Sequence, residues 1–171
     1  MTKLGLLAGV FDPFHIGHLA FIEESISNYG LDRAFILIEE KPKFKETFAS
    51  FDHRKKIVET SIGNNPKIHI YPPATASFPL SSTLPILKQE SNAKIYLLVG
   101  NDVIDHIHTW PESDKLLAGI ELVIADRTEQ DRDRRVSSGK VREQIRSGAE
   151  PIGMPEEALE YCRANKLYGL V

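Results

Sequence analysis

Cysteine is almost missing from this chain: Cys162 is the only one in 171 residues, so no internal disulfide can form. Its setting, Glu160-Tyr161-Cys162-Arg163, reads as a helix face rather than an activated thiol, which fits a reducing cytoplasm. Long apolar runs are missing too. The N-terminal run from Leu4 to Phe11 is too short to cross a membrane, and the Asp12 and His15 that follow do not make a signal-peptide cleavage region. Nor is there an excess of charge of one sign. With 21 Lys and Arg against 24 Asp and Glu, the formal net charge is −3, which gives no general attraction to nucleic acid or to an anionic membrane. Any phosphate binding must therefore be local. Internal repeats, low-complexity tracts and domain linkers are also absent.

What is present is an ordinary globular composition, 42% hydrophobic and 26% charged, which predicts a single domain over residues 1–171. A chain of this length can bury roughly two-thirds of its unfolded surface without metal or disulfide. Apolar runs of strand length alternate with helical segments. The strands are expected at Leu4 to Gly9, Ala34 to Ile38, Lys67 to Tyr71, Ile95 to Val99 and Ile120 to Ala125. Helices are expected at Ile16 to Tyr29, with Gly30 as its stop, and at Phe51 to Ile62, Ser81 to Gln89, Ser138 to Arg146 and Pro155 to Asn165. This pattern predicts a Rossmann-like α/β fold: an open, mostly parallel five-stranded sheet with helices on both faces. In such sheets ligands bind beyond the carboxyl ends of the strands.

The first strand leads into Gly9-Val10-Phe11-Asp12-Pro13-Phe14-His15-Ile16-Gly17-His18 and then a helix. Pro13 sets a turn, and Gly9 and Gly17 leave room for a ligand to approach the backbone. His15 and His18 fall three apart, on one face of the first helical turn, beside free N–H groups and the positive end of the helix dipole. That pattern suits a polyphosphate. The alternatives are surface or capping histidines and a zinc site, although zinc helices usually space histidines four apart with a Glu between.

These residues resemble the signature of the nucleotidylyltransferase superfamily, with Asp12-Pro13-x-His15-x-Gly17-His18 most like its adenylyltransferases. His15-Ile16-Gly17-His18 is also the signature of class I aminoacyl-tRNA synthetases, but the chain is too short for one and lacks their lysine-rich second signature.

Farther on, Ser137-Ser138-Gly139-Lys140-Val141-Arg142 puts two hydroxyls at a helix start and a guanidinium one turn in, either a second phosphate site or an ordinary serine cap. It resembles the adenylyltransferases' Ile-Ser-Ser-Thr-x-Ile-Arg, with Gly139 in place of threonine. The fourth strand ends in Gly100-Asn101-Asp102, where a carboxylate could bind a ribose hydroxyl or simply cap a turn. Trp110, the only tryptophan, could stack on a flat ring or pack in the core. The charged stretch Asp126 to Arg135 is a solvated loop or a phosphate-contacting one.

Gly-x-Asp followed by His108-Thr109-Trp110 narrows the resemblance to nicotinate mononucleotide adenylyltransferases, as does the C-terminal stretch from Pro155 to Leu167-Tyr168. Lys41-Pro42-Lys43-Phe44-Lys45 with His53-Arg54 is similar to that family's Pro-Pro-His-Lys and Arg pair, a solvated lysine cluster being the alternative. Between Ala74 and Leu84 only Thr83-Leu84 matches the stretch with which that family holds the pyridine acid.

The resemblance implies ATP as co-substrate, Mg²⁺ carried on its phosphates with no protein-bound metal, and nicotinate mononucleotide as acceptor. His15 and His18 would be catalytic. Gly9, Val10, Phe11, Gly17, Gly100, Asp102, Ser137, Ser138 and Arg142 would surround the nucleotide. Lys43, Lys45, Arg54, Thr83 and Trp110 would surround the acceptor. Phosphopantetheine adenylyltransferases are the nearest rival, since Phe48 to Arg54 loosely echoes their Phe-Ser-x-x-x-Arg. A nucleotide-binding regulatory domain without turnover is the rival of another class.

Overall fold

Strands made of continuous Val, Ile and Leu can be buried on both faces, and five of them form the centre of this fold. A computed structural model describes residues 1–42, 45–71, 92–125 and 136–170, with the Asp102 side chain outside that description. Strands β1 (Lys3–Gly9), β2 (Arg33–Ile38), β3 (Ile68–Ile70), β4 (Lys94–Val99) and β5 (Glu121–Ile124) lie in the order β3-β2-β1-β4-β5, and every neighbouring pair is parallel. Successive side chains leave a strand on opposite faces, so the central strands β1, β2 and β4 feed two cores. Leu7 of β1, Ile36 of β2 and Leu98 of β4 enter one core, while Leu4, Leu6, Ile95 and Leu97 enter the other.

The first core is closed by α1 (Ile16–Tyr29) and α2 (Phe51–Ile62), and the second by the short α3 (Asn101–Ile104) and α4 (Ser113–Leu117). On the first side lie also α5 (Ser138–Arg146), α6 (Glu156–Ala164) and a closing 3-10 turn (Leu167–Gly169). Ile22, Ile57, Val58, Val141 and Leu159 are buried there, each contributing roughly 1.5–3 kcal/mol of apolar transfer. Every strand, and each of α1, α2, α5 and α6, starts and ends within one residue of the sequence expectation. Gly30 ends α1 at φ 61° with its N–H on the Ile26 carbonyl, as the sequence suggested. The helix expected at Ser81 to Gln89 lies outside the described residues. Helices α3 and α4, of four and five residues, are too short to carry a readable period.

Strand order reverses between β1 and β4, which opens a crevice at their carboxyl ends. The connection from α5 to α6 closes back on the start of α1, where Gly153 accepts the Ile16 N–H at 2.8 Å. Gly153 has φ +104°, and a Cβ on it would lie 2.4 Å from Val136 Cγ1. Among the described residues no helix is long and apolar enough to cross a membrane.

Two expectations follow for stability. Gly153→Ala should lose more than about 2 kcal/mol, because overpacking adds roughly 1–3 kcal/mol to the cost of positive φ. Gly148→Ala, at φ +75° with open space around its Cβ, should lose only about 1–2 kcal/mol. Urea unfolding of the two variants checks this, and equal losses would contradict the packing at Val136. Burial in α6 pushes the Cys162 thiol from its ordinary 9.0 up to about 12. The unfolded chain therefore gives up this proton first, and stability should fall as pH rises from 9 to 12, less steeply in Cys162→Ala. A slope that ignored the substitution would refute the assignment.

Candidate active site

The loop between β1 and α1 folds around its own rings. A Cβ on Gly9 would lie 3.0 Å from the Phe11 ring, and one on Gly17 would lie 3.1 Å from His15 Nδ1. The two glycines thus make space for Phe11 and His15, where the sequence suggested room for a ligand. Phe11 takes a left-handed backbone at φ 52°, and its ring meets Phe14 edge-on at 5.5 Å. His15 caps α1 and is only 3% exposed. Its ring stacks on His18 at 3.6 Å and 22°, while Phe14 covers the same His18 ring at 5.1 Å and 28°. The His15 backbone N–H donates to His18 Nδ1 at 3.2 Å. That bond needs a lone pair on Nδ1, so the His18 ring proton sits on Nε2.

Beneath this loop lies a knot of polar groups centred on Asp12, which is 5% exposed. Its Oδ2 accepts the Phe48 N–H at 2.6 Å and its Oδ1 accepts the Tyr168 hydroxyl at 2.7 Å. Burial, and then this bond, push the Tyr168 hydroxyl far above the ordinary tyrosine range, so it remains a donor. Arg142 Nη1 donates to the Asp12 carbonyl, and Ser138 Oγ donates to the Pro13 carbonyl at 2.8 Å. Arg54 donates to the Val10 carbonyl at 2.6 Å. Three carbonyl oxygens that would repel an approaching phosphate are thereby turned onto donors.

Arg54, expected at the acceptor, is 1% exposed and also donates to the carbonyls of Ala49, Glu39 and Glu40. Its guanidinium ties the ends of β1 and β2 to the start of α2, which occupies the donors an acceptor phosphate would need. Burial pulls it below the ordinary guanidinium range, opposed chiefly by the Asp12 charge. Glu39 nearby is raised by its own burial, with Lys45 and Arg54 opposing.

Ser137 Oγ caps α5 by accepting the Lys140 N–H at 3.2 Å. A Cβ on Gly139 would come no closer than 3.9 Å to the Ser137 hydroxyl, so nothing at that position requires glycine. The first and second signatures therefore meet directly, through Ser138 and Arg142. Parallel register pairs Leu7 with Leu98, which brings Gly9 and Gly100 to the same end of neighbouring strands. Gly100 caps α3, whose backbone includes Asp102. Trp110 is half-buried against the second core, and Lys45 is exposed. Lys43, Thr83 and the stretch 126–135 lie outside the described residues. Among the described residues no group of three His, Cys, Asp or Glu side chains is placed to hold a metal ion.

Asp12, Phe48, Gly153 and Tyr168 were not among the expected site residues. Asp12 sits inside the first signature and Tyr168 in the Leu-Tyr ending, so both carried a signal. Phe48 carried only the loose echo of the phosphopantetheine pattern, and Gly153 carried none.

The cytidylyltransferase-like family model matches residues 6–144. A Dictyoglomus turgidum protein named "Probable nicotinate-nucleotide adenylyltransferase" is 29% identical over 133 residues, covering 75% of this chain and 66% of its own length. A Solibacter usitatus protein of the same name is 26% identical over 186 aligned positions, covering 97% and 99%. The fold is similar to that of the Plasmodium falciparum nicotinic acid mononucleotide adenylyltransferase complexed with NaAD, at TM-score 0.78 and 19% identity, covering 100% of this chain and 99% of that one.

Tyr168→Phe removes the donor to a buried carboxylate oxygen and should cost about 1–3 kcal/mol of stability. Thermal unfolding measures it. An unchanged midpoint would mean that Asp12 does not depend on the C-terminal turn.

Proposed function

The chain belongs to the cytidylyltransferase-like family, and from that membership we propose that it is an adenylyltransferase that joins AMP from ATP to the phosphate of nicotinate mononucleotide. A phosphate oxygen of the acceptor attacks the α-phosphorus, a new P–O bond forms, the bond to the β-phosphate oxygen breaks, and pyrophosphate leaves. No covalent enzyme intermediate is needed.

The observation that carries this reading is the stacked His15 and His18 pair at the start of α1. Phosphoryl transfer asks of a protein mainly fixed donors aimed at developing negative charge. His18 is stacked against the rings of His15 and Phe14, and its Nδ1 is engaged by the backbone, which fixes the imidazole that would donate to the triphosphate. His15 holds the stack and adds a second imidazole. The start of α5 brings Ser138 and Arg142 to the same loop, and the dipoles of α1 and α5 both favour an anion there.

Mg²⁺ fits this site as an ion carried on ATP oxygens and water, where it would offset the charge of the departing phosphates. The donor set supports that role, since both Asp12 oxygens already accept hydrogen bonds from the protein. The names of the relatives support nicotinate mononucleotide as acceptor. Trp110 and Thr83 are our candidates for the pyridine ring and its carboxylate. We place the activity in one domain and in the cytoplasm, where ATP is abundant and a lone buried thiol stays reduced.

Pyrophosphate release with nicotinate mononucleotide, its amide and phosphopantetheine tests the reading. The order of kcat/KM should follow that sequence. Phosphopantetheine in first place would reassign the acceptor, and no release with any of the three would leave a nucleotide-binding regulatory domain. His18→Ala should lower kcat by about 10²-fold with a smaller change in KM for ATP. A wild-type kcat in that variant would remove His18 from the mechanism.

A further inference from the structure

Just past β2 the main chain of Glu39 is tied on two sides. Its N–H donates to the Gly9 carbonyl at 2.9 Å, one step beyond the Gly9–Ile38 pair, and its carbonyl accepts from Arg54 at 2.8 Å. Glu39 is thereby held at the carboxyl end of the sheet, beside the strand that leads into the histidine loop. Phe35 and Leu37 of β2 pack against the second core, and alternation along the strand puts Glu39 on that same face. Trp110 and Tyr71 are half-buried against the same core. The Glu39 carboxylate is itself half-buried, and burial raises it above the ordinary carboxylate range, with Lys45 and then Arg54 opposing. Charge balance for Arg54 does not explain it. Arg54 donates to the carbonyls of Ala49, Val10, Glu39 and Glu40, and its charge is answered chiefly by Asp12. Among the described residues no hydrogen bond or ion pair ends on the Glu39 carboxylate.

An ionised carboxylate only accepts, through two oxygens, so a pair of hydroxyl donors matches it and a phosphate or ring carboxylate is repelled by it. A vicinal diol is such a pair. In parallel sheets that bind dinucleotides, an acidic side chain beyond the glycine-rich turn takes a ribose hydroxyl in this way. Position selects which ribose. Strands β2 and β4 flank β1, with axes about 9–10 Å apart. The β1–α1 loop, α5 and Gly100 at the end of β4 form the ATP side, which leaves the β2 side to the acceptor. Lys45 acts on Glu39 there and offers a cation to the phosphate on the same sugar. We propose that the Glu39 carboxylate accepts hydrogen bonds from the 2′- and 3′-hydroxyls of the acceptor's ribose, and so restricts the acceptor class to ribonucleotides. Phosphopantetheine has no vicinal diol and gains nothing from this contact. The contact rests on the adenylyl-transfer reading, which supplies two nucleotides and hence two riboses to place.

Pyrophosphate release by the full chain with nicotinate mononucleotide, its 2′-deoxyribose analogue and phosphopantetheine, in Mg²⁺ buffer, tests it. Loss of the 2′-hydroxyl should cost the wild type about thirtyfold in kcat/KM, the range of a hydrogen bond to a charged group. Glu39→Ala should lose at least as much with the ribonucleotide, should lose less than about threefold more with the deoxy analogue, and should keep KM for ATP within about twofold. Glu39→Gln keeps the bulk and one neutral acceptor oxygen, and should lose about fivefold with a wild-type thermal midpoint. Losses from the missing hydroxyl and from Glu39→Ala that simply multiply would overturn the ribose contact. So would wild-type kcat/KM in both variants, or an equal loss with phosphopantetheine. A wild-type chain that turns over phosphopantetheine alone, or none of the three, would overturn the adenylyl-transfer reading, and the ribose contact with it.

Discussion

A carboxylate withdrawn from water costs several kcal/mol unless donors replace its hydration, and the neighbourhood of Asp12 is arranged to meet that demand. One oxygen takes a backbone N–H from the segment before α2 and the other takes a hydroxyl from the closing turn. Arg54 supplies opposite charge nearby. Each donor belongs to a different part of the chain, so satisfying this one group fixes the mutual position of the β1–α1 loop, the entry to α2 and the C-terminal turn. The stacked histidines stand on that foundation. If the knot loosened, their rings would lose the loop geometry that keeps them parallel.

Arginine is used in two opposite ways within this small volume. Arg54 is buried and spends its donors on main-chain carbonyls, where a lysine's single ammonium could not reach as many acceptors at once. Arg142 and Arg146 stack on the half-exposed ring of Phe48. Residue type alone does not separate these roles; burial and the identity of the acceptors do.

Much of the fold was legible because its signals are local. Continuous Val, Ile and Leu runs marked the strands, and amphipathic spacing with Gly30 and the serine cap at Ser137 marked the helices. The histidine pair was legible for the same reason, since three-residue spacing on a helix start defines its own geometry. The setting of Arg54 was not legible, because a sequence shows a charge but not the carbonyls around it. The surroundings of Phe48 were invisible, because its partners come from a helix almost a hundred positions later. Gly153 was passed over because the collision it avoids, with Val136, exists only once α5 has folded back toward α1.

The hydrogen bond from Tyr168 to Asp12 spans 156 positions of sequence. During synthesis the histidine loop leaves the ribosome early, long before the hydroxyl that will hold it. A nascent chain that stops short of the closing turn therefore has the sheet's first strands and the nucleotide signature but a carboxylate that lacks one of its two donors. The order of translation thus keeps the loop incompletely supported until the C-terminal turn has been made. Contacts of such long sequence separation also slow folding, because the intervening chain must be closed into a loop before they can form.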